Sequence, residues 1–365
     1  MKRVLCLISG MNSGGAETFL MKLYRKLDRN FYQMDFCVNI KEEGFYDKEI
    51  LRMGGRIYHI PSKSENLFAF KKQLSELIKK EKYEYVLRIT SNTMGFMDLK
   101  IAKKAGAKIC AARSSNSSDA EGIKAKIVHF LGRRLYSRYV DVKIAPSDLS
   151  AIYTFGKKEY ENKNVCILKN AVDLDIYKYS ETERKKIRKE LGIVDDELVC
   201  GHIGRFSKQK NHKYLINVFS KVLDKRPDAK LILVGKGELE EEIIDQCEKL
   251  GIRNKVFFLG VRSDIPALLS AMDVFVFPSL YEGMPNTVIE AQATGLPCII
   301  ANTITKEANV LGTVKFLPLS NSIDLWVNEI VNTSKIRYES KEKFIKNGYE
   351  INSSVEDFLN YMKMK

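Results

Sequence analysis

Residues 279–291 read Ser279-Leu280-Tyr281-Glu282-Gly283-Met284-Pro285-Asn286-Thr287-Val288-Ile289-Glu290-Ala291. They follow Met272-Asp273-Val274-Phe275-Val276-Phe277-Pro278, an apolar, β-branched and aromatic run closed by a proline, which predicts a buried strand. From Thr287 to Thr294 there is no Gly or Pro, and Gly295 then supplies a helix C-terminal stop. Strand, short loop and helix therefore carry one carboxylate in the loop, Glu282, and a second inside the helix, Glu290. Gly283 lets the backbone approach a ligand closely, Met284 follows it, and the amides of Asn286 and Thr287 fall where a helix N-terminus attracts phosphate. Glu282 is placed to take sugar hydroxyls at the mouth of such a site, and Glu290 to take the two hydroxyls of a ribose deeper in. The plainer alternative makes Glu282 an electrostatic helix cap and Glu290 a solvated helical glutamate.

Glu282 and Glu290 enclose seven residues, and the wording around this E-x7-E spacing resembles the retaining glycosyltransferases of family four, which have the GT-B fold. The resemblance is specific here and runs more loosely through almost the whole chain. It implies two doubly wound Rossmann-like domains facing across a cleft, with the C-terminal helix returning to the first domain. The boundaries expected on this basis are 1–175 for an acceptor-binding domain, with about 345–365 crossing back to it, and 176–345 for a nucleotide-sugar-binding domain.

Size and composition agree with two soluble α/β domains. The chain has 365 residues and 45% apolar content, and no run approaches eighteen apolar residues. After Met1-Lys2-Arg3 the apolar run Val4 to Ile8 stops at Ser9-Gly10, too short for a signal core, so a first strand is expected. Seven cysteines are scattered without a CxxC pair, and the four histidines make no metal spacing. Reduced cysteines, no metal and a cytoplasmic location follow as expectations. Charge is uneven: residues 1–175 carry a net +12 and the remainder +2. A basic first half suggests an anionic partner, and an anionic lipid-linked substrate, an anionic membrane surface or nucleic acid would all fit that charge alone.

Along the chain, Val4 to Ser9 predicts a strand that runs into Gly10-Met11-Asn12-Ser13-Gly14-Gly15-Ala16-Glu17 and then a helix. Strand, glycine loop and helix present backbone amides to a phosphate. The resemblance carries a role beside the donor diphosphate and acceptor to Gly14 and Gly15. Strands near 33–40, 56–60, 84–90, 107–112, 141–145 and 164–168 alternate with helices, the pattern of a parallel sheet. Gly122 to Tyr139 is a basic helix in which Ile123, Ile127, Phe130, Leu131 and Leu135 form an apolar face. It suits either a membrane surface or an ordinary domain helix with a solvated basic side. Lys169-Asn170-Ala171-Val172-Asp173 resembles the family's NGVD element that closes the first domain, with Ala171 in place of the glycine.

In the second half, Leu198 to Ile203 predicts a strand leading into Gly204-Arg205-Phe206-Ser207-Lys208-Gln209-Lys210. The resemblance makes Arg205 and Lys210 the clamp on the donor pyrophosphate. Chemically, cleavage of a sugar–phosphate bond without a metal requires fixed cations for the departing diphosphate. The turn at Val261-Arg262 is where the family holds the nucleotide base, largely through backbone, so Arg262 is a further donor-site candidate. Many members place a histidine against the transferred sugar after a strand of the first domain. The comparable stretch here, Ala111 to Ser118, has none, which leaves Ser114 and Asn116 as candidate sugar or acceptor contacts.

The expected function is therefore a metal-independent, retaining glycosyltransferase of bacterial surface polysaccharide assembly. Its donor would be a nucleoside diphosphate sugar, with UDP preferred from the family's habits, and its acceptor a glycan or lipid-linked chain. Glu282, Arg205 and Lys210 would act on the reacting groups, and an inner-membrane surface is an expected contact. The rivals are a non-catalytic nucleotide-sugar-binding scaffold subunit and a nucleotide-sugar epimerase on the same fold. Nucleic-acid binding lacks a basic and aromatic interleaved surface or a motif.

Overall fold

Seven parallel strands form the first sheet: β1 (Lys2–Leu7), β2 (Tyr32–Val38), β3 (Ile57–His59), β4 (Tyr85–Thr90), β5 (Ile109–Ser114), β6 (Val142–Ala145) and β7 (Cys166–Ile167). Their order is β3-β2-β1-β4-β5-β6-β7. Runs such as Val4-Leu5-Cys6-Leu7 are apolar on both sides of the strand because a parallel sheet is covered on both faces. Val4 and Cys6 enter one core with Phe19, Leu20 and Leu23 of the helix Gly15–Lys26, while Leu5 and Leu7 enter another with Phe70 and Leu74 of the helix Lys63–Glu81. Period-two alternation thus sorts one strand's side chains between two helical layers.

This computed structural model describes residues 1–12, 14–115, 123–319 and 323–365. The chain divides into two compact units, Met1–Ala171 with Gly348–Lys365, and Val172–Asn347. The helix Ile351–Tyr361 belongs to the first unit. Ile351, Val355, Phe358, Leu359 and Met362, at helical spacing, are buried in the same core as Val4 and Leu20, and Tyr361 packs at its edge. The Glu350 carboxylate starts this helix by accepting from the amides of Asn352 and Ser353, each at 2.9 Å.

The second unit repeats the plan with six parallel strands: β8 (Val199–Ile203), β9 (Lys230–Val234), β10 (Val256–Phe258), β11 (Val274–Phe277), β12 (Cys298–Ala301) and β13 (Lys315–Leu317), in the order β10-β9-β8-β11-β12-β13. The doubly wound expectation therefore holds in both units, and the last helix does return to the first. The sequence reading missed β13, a three-residue edge strand too short to show a period. At the amino end of β11, Asp273 accepts from Arg184 at 2.8 Å, from Arg188 at 2.7 Å and from the Val199 amide at 2.8 Å. This buried carboxylate ties β8, β11 and the helix Glu181–Glu190 together.

In each sheet the chain fills one side first and then the other. The order reverses between β1 and β4 in the first unit and between β8 and β11 in the second. Crevices for ligands open at the carboxyl ends of the strands flanking such a reversal. The glycine loop 10–15 follows β1, the loop from Gly204 to Lys210 follows β8, and the loop from Pro278 to Pro285 follows β11.

Candidate active site

The loop after β8 is pinned by backbone contacts that only glycine permits. Gly235, at φ +137, lies so close to the preceding loop that a Cβ there would sit 2.1 Å from the Gly204 carbonyl oxygen. The Gly204 amide donates to the Val234 carbonyl at 2.9 Å, and the Gly235 amide to the Gly260 carbonyl at 2.8 Å. The loop then tightens into a turn over Lys208–Lys210 and enters the helix His212–Lys225 through Asn211, which adopts the left-handed conformation that asparagine tolerates.

This geometry brings Lys210 back over the sheet. Its ammonium donates to Glu282 Oε1 at 2.7 Å and lies 4.7 Å from the centroid of the Phe277 ring. Both partners are largely withdrawn from water, with side-chain exposures of 17% for Lys210 and 9% for Glu282. The two loops are laced together as well. The Leu280 amide donates to the Gln209 carbonyl at 2.8 Å, Gln209 Nε2 to the Tyr281 carbonyl at 2.9 Å, and Asn211 Nδ2 to the Pro278 carbonyl at 3.1 Å. Thr303, beyond β12, donates to the Ser279 carbonyl at 2.9 Å. Glu282 is therefore held by both flanking loops rather than by its own segment alone.

Beneath Lys210 lie two histidines. The His202 ring is 4.6 Å from that of His212 and stacks on Phe277 at 5.1 Å, while His212 stacks on Phe206 at 4.2 Å. His202 Nδ1 bonds the Val276 carbonyl at 2.9 Å, but its Nε2 and both nitrogens of His212 have no hydrogen-bond partner among the described residues. Burial drives both rings towards the neutral form, holding His212 down to about 3 and His202 well below the usual imidazole range. The floor of the site is thus uncharged, and the cationic group above it is Lys210. Sequence spacing found no metal pattern in these histidines and did not show that they stack on each other.

Of the other residues singled out, Arg205 is exposed and pairs with Glu238 at 3.1 Å. Arg262 is committed to carboxylates, with two bonds to Asp264 at 2.8 and 2.7 Å and one to Glu190 at 3.0 Å, and those bonds raise its pKa further. The Arg262 guanidinium is therefore already occupied in this structure. Glu290 is buried on the helix Asn286–Ala293, whose first residues are Asn286 and Thr287, and Met284 packs against the core. The structure brings Lys210 and Glu282 into contact and leaves Arg205 on a different partner. Phe277, Gln209 and Asn211, which position that pair, carried no distinguishing sequence signal.

Gly14, Gly15 and Ser114 belong to the first unit. Gly14 precedes the helix Gly15–Lys26, and its carbonyl accepts from the Thr18 amide at 2.9 Å. The Glu17 carboxylate folds back on this helix start, where it would meet a Cβ on Gly14, and burial lifts its pKa. The Ser114 hydroxyl is fully buried and shares a 2.6 Å hydrogen bond with Thr154 rather than facing solvent. Asn116 lies outside the described residues.

Two doubly wound units, one with a lysine–glutamate pair at its switch point, define an α/β protein of two Rossmann-like domains. Comparison with known proteins makes this specific. The family described as "Glycosyl transferases group 1" matches residues 183–351. The chain is 34% identical over 369 residues to "Putative glycosyltransferase EpsF" of Bacillus subtilis (strain 168), covering 98% of this chain and 96% of that protein. It is 29% identical over 327 residues to an Escherichia coli protein named "UDP-Gal:alpha-D-GlcNAc-diphosphoundecaprenol alpha-1,3-galactosyltransferase", covering 83% and 80% of the two chains. The protein belongs to the group 1 glycosyltransferases. Its fold is GT-B, like that of Anabaena HepE solved in complex with UDP and glucose, at a TM-score of 0.80 and 20% identity over the full length of both chains.

Proposed function

We propose that the protein is a retaining, metal-independent glycosyltransferase that moves a sugar from a nucleoside diphosphate sugar, UDP-linked by preference, onto a glycan or lipid-linked acceptor of a surface polysaccharide. The observation that carries this reading is the Lys210–Glu282 pair at the carboxyl ends of β8 and β11. A diphosphate entering there meets an ammonium held over an uncharged floor, where a fixed cation acts more strongly than in water. The relatives support the donor class: one is named for UDP-Gal and a diphosphoundecaprenol acceptor, and the structural neighbour holds UDP.

In this reading the bond from the sugar anomeric carbon to the diphosphate oxygen breaks as the acceptor oxygen bonds to the same face. The acceptor proton passes to the departing diphosphate. Lys210 stabilises the charge growing on that diphosphate, with Arg205 reaching it from solvent and supplying positive charge that a metal would bring elsewhere. Glu282 orients the sugar hydroxyls, Glu290 holds the ribose, and Gly283, Asn286 and Thr287 offer backbone amides. Gly14 and Gly15 serve the donor diphosphate and the acceptor. The test is thermal stabilisation by a panel of UDP-, GDP-, ADP- and TDP-sugars, then transfer assays with and without chelator and anomeric NMR of the product. A shift with one nucleotide class, lost in Lys210→Ala, is expected. A folded protein that is stabilised by a nucleotide sugar but neither transfers nor hydrolyses it is instead the scaffold subunit, and one that responds to none of them overturns the reading.

A membrane contact is supported by a second observation. Ile127, Phe130, Leu131 and Leu135 all lie exposed on the basic helix Ile123–Tyr136, so this apolar face does not serve the core. A basic helix with an exposed apolar stripe suits an anionic bilayer surface. Among the described residues no helix is long and apolar enough to cross a membrane.

A further inference from the structure

Arg113 is the most deeply buried cation of the first unit among the described residues, at 2% exposure. It stands near the carboxyl end of β5, and its guanidinium lies 3.5 Å from the centroid of the Phe19 ring. Nη2 donates to Asn170 Oδ1 at 2.5 Å and Nη1 to the Ser114 carbonyl at 3.5 Å, while Nε has no partner among the described residues. Both acceptors are neutral. Among the described residues no carboxylate pairs with this group, and burial lowers its pKa to about 9.

Arg337 of the second unit, half-buried, spends its guanidinium on backbone carbonyls of Leu269, Ser270 and Met272, whereas two other withdrawn arginines have a carboxylate. Arg188 meets Asp273, and Arg3 meets Asp35 through its Nε and Nη2 edge, both bonds at 2.6 Å. That edge is the fork that matches a carboxylate or phosphate. In Arg113 the same edge has Nη2 on an amide oxygen and Nε on none of the described residues. An amide oxygen satisfies an N–H without offsetting its charge, so the cost of burying the cation stands until an anion arrives.

We propose that Arg113 is an anion-recognition residue of the first unit that binds a phosphoryl group, with Asn170 Oδ1 keeping the place of a phosphoryl oxygen in the free protein. Two further features agree with this. The carboxyl end of a doubly wound sheet is where such folds take ligands, and residues 1–175 carry a net +12. On the function proposed above, on which this assignment of the ligand rests, the phosphoryl group is that of the acceptor, since the donor diphosphate goes to Lys210.

The probe is inorganic pyrophosphate, read by thermal shift on the full chain carrying Lys210→Ala, which disables the donor site. A saturable upshift that persists in this background is expected, with affinity roughly 10- to 100-fold weaker once Arg113→Gln is added. Asn170→Asp retains the arginine, so it reports even where Arg113→Gln folds poorly. It supplies a resident carboxylate and is expected to raise Tm while abolishing the pyrophosphate response. In turnover, Arg113→Lys should raise KM for a phosphorylated acceptor and leave KM for the donor unchanged. The proposal is overturned if the Lys210→Ala protein gives no shift, if the shift survives both Arg113→Gln and Asn170→Asp, or if only the donor KM rises. The pyrophosphate readout needs no turnover, so failure of the glycosyltransferase reading would show separately, as an absent response to nucleotide sugars.

Discussion

Lys210 and Glu282, 72 residues apart in the chain, meet as an ion pair at 2.7 Å between the loops that follow β8 and β11. In the free protein each is the other's counter-ion. A diphosphate that takes the ammonium must share it with, or displace, this carboxylate, which leaves Glu282 free to accept from the sugar hydroxyls. On the proposed function, removing either partner is expected to damage both donor binding and sugar positioning.

Lys210→Ala is expected to lower the transfer rate about 10²- to 10³-fold, the effect of losing one fixed group that stabilises transition-state charge. It also leaves a nearly buried carboxylate uncompensated, with a stability loss of about 1–3 kcal/mol. Glu282→Gln keeps shape and hydrogen bonding without the charge, so it should bind UDP at least as well as the parent while transferring slowly. Calorimetric UDP titration beside a transfer assay checks both. Unchanged turnover in Lys210→Ala would remove the pair from the mechanism.

Gly235→Ala should cost about 2–5 kcal/mol, because it adds a Cβ against the Gly204 carbonyl at a φ of +137. Gly192 is the control. It has a φ of +65 but open space around it, so Gly192→Ala should cost only about 1–2 kcal/mol. Urea unfolding of the two variants measures the difference. Equal losses would show that the backbone approach at Gly204 is not what places the loop.

Acid should unfold the second unit through its buried histidines. In the folded protein His212 is held down to about 3 and His202 is also lowered well, whereas unfolded histidine titrates near 6.5. The unfolded chain therefore binds more protons as pH falls below about 6.5, and stability present above that pH is lost on the way down towards 3. Two such groups give a slope of up to about 2.7 kcal/mol per pH unit. His212→Phe, which keeps the stack on Phe206, should remove about half of it. Tm measured between pH 7.5 and 4.5 in the two proteins gives the comparison, and parallel curves would refute the assignment.

Phe130→Asp and Leu131→Asp lie on the exposed stripe of the helix Ile123–Tyr136 and should leave Tm within about 1 °C. Both should weaken flotation with vesicles containing anionic lipid. Retained binding in the double variant would locate the membrane contact elsewhere or remove it.

Much of this was legible in the chain. Val4 to Leu7, Leu231 to Val234 and Val274 to Phe277 are apolar on both strand faces, a local property that fixes a parallel sheet wherever the partners lie. Ile351, Val355, Phe358 and Met362 likewise present one apolar helical stripe that must be buried somewhere. The same logic failed for β13, whose three residues are too few to show a period, and it left the helix Ile123–Tyr136 open between core and surface. An apolar face looks alike in sequence whether or not a neighbour covers it. Exposure of Phe130 and Leu131 was a tertiary fact.

Site geometry divides in the same way. The E-x7-E spacing puts Glu282 in a loop and Glu290 in the helix that follows, because a strand ending at Phe277 and a helix starting at Asn286 leave no other place for them. What the chain by itself determined was this local alternation of strand, loop and helix, through short-range backbone sterics and hydrophobic period. Only the tertiary structure decided which cation faces Glu282, that Arg262 is occupied by Asp264 and Glu190, that Ser114 is shut away against Thr154, and that Arg113 is buried with no carboxylate partner among the described residues. Those relations join residues from different βα units. They depend on where strand order reverses and how closely loops such as Gly204 and Gly235 approach, and neither is encoded within any one stretch.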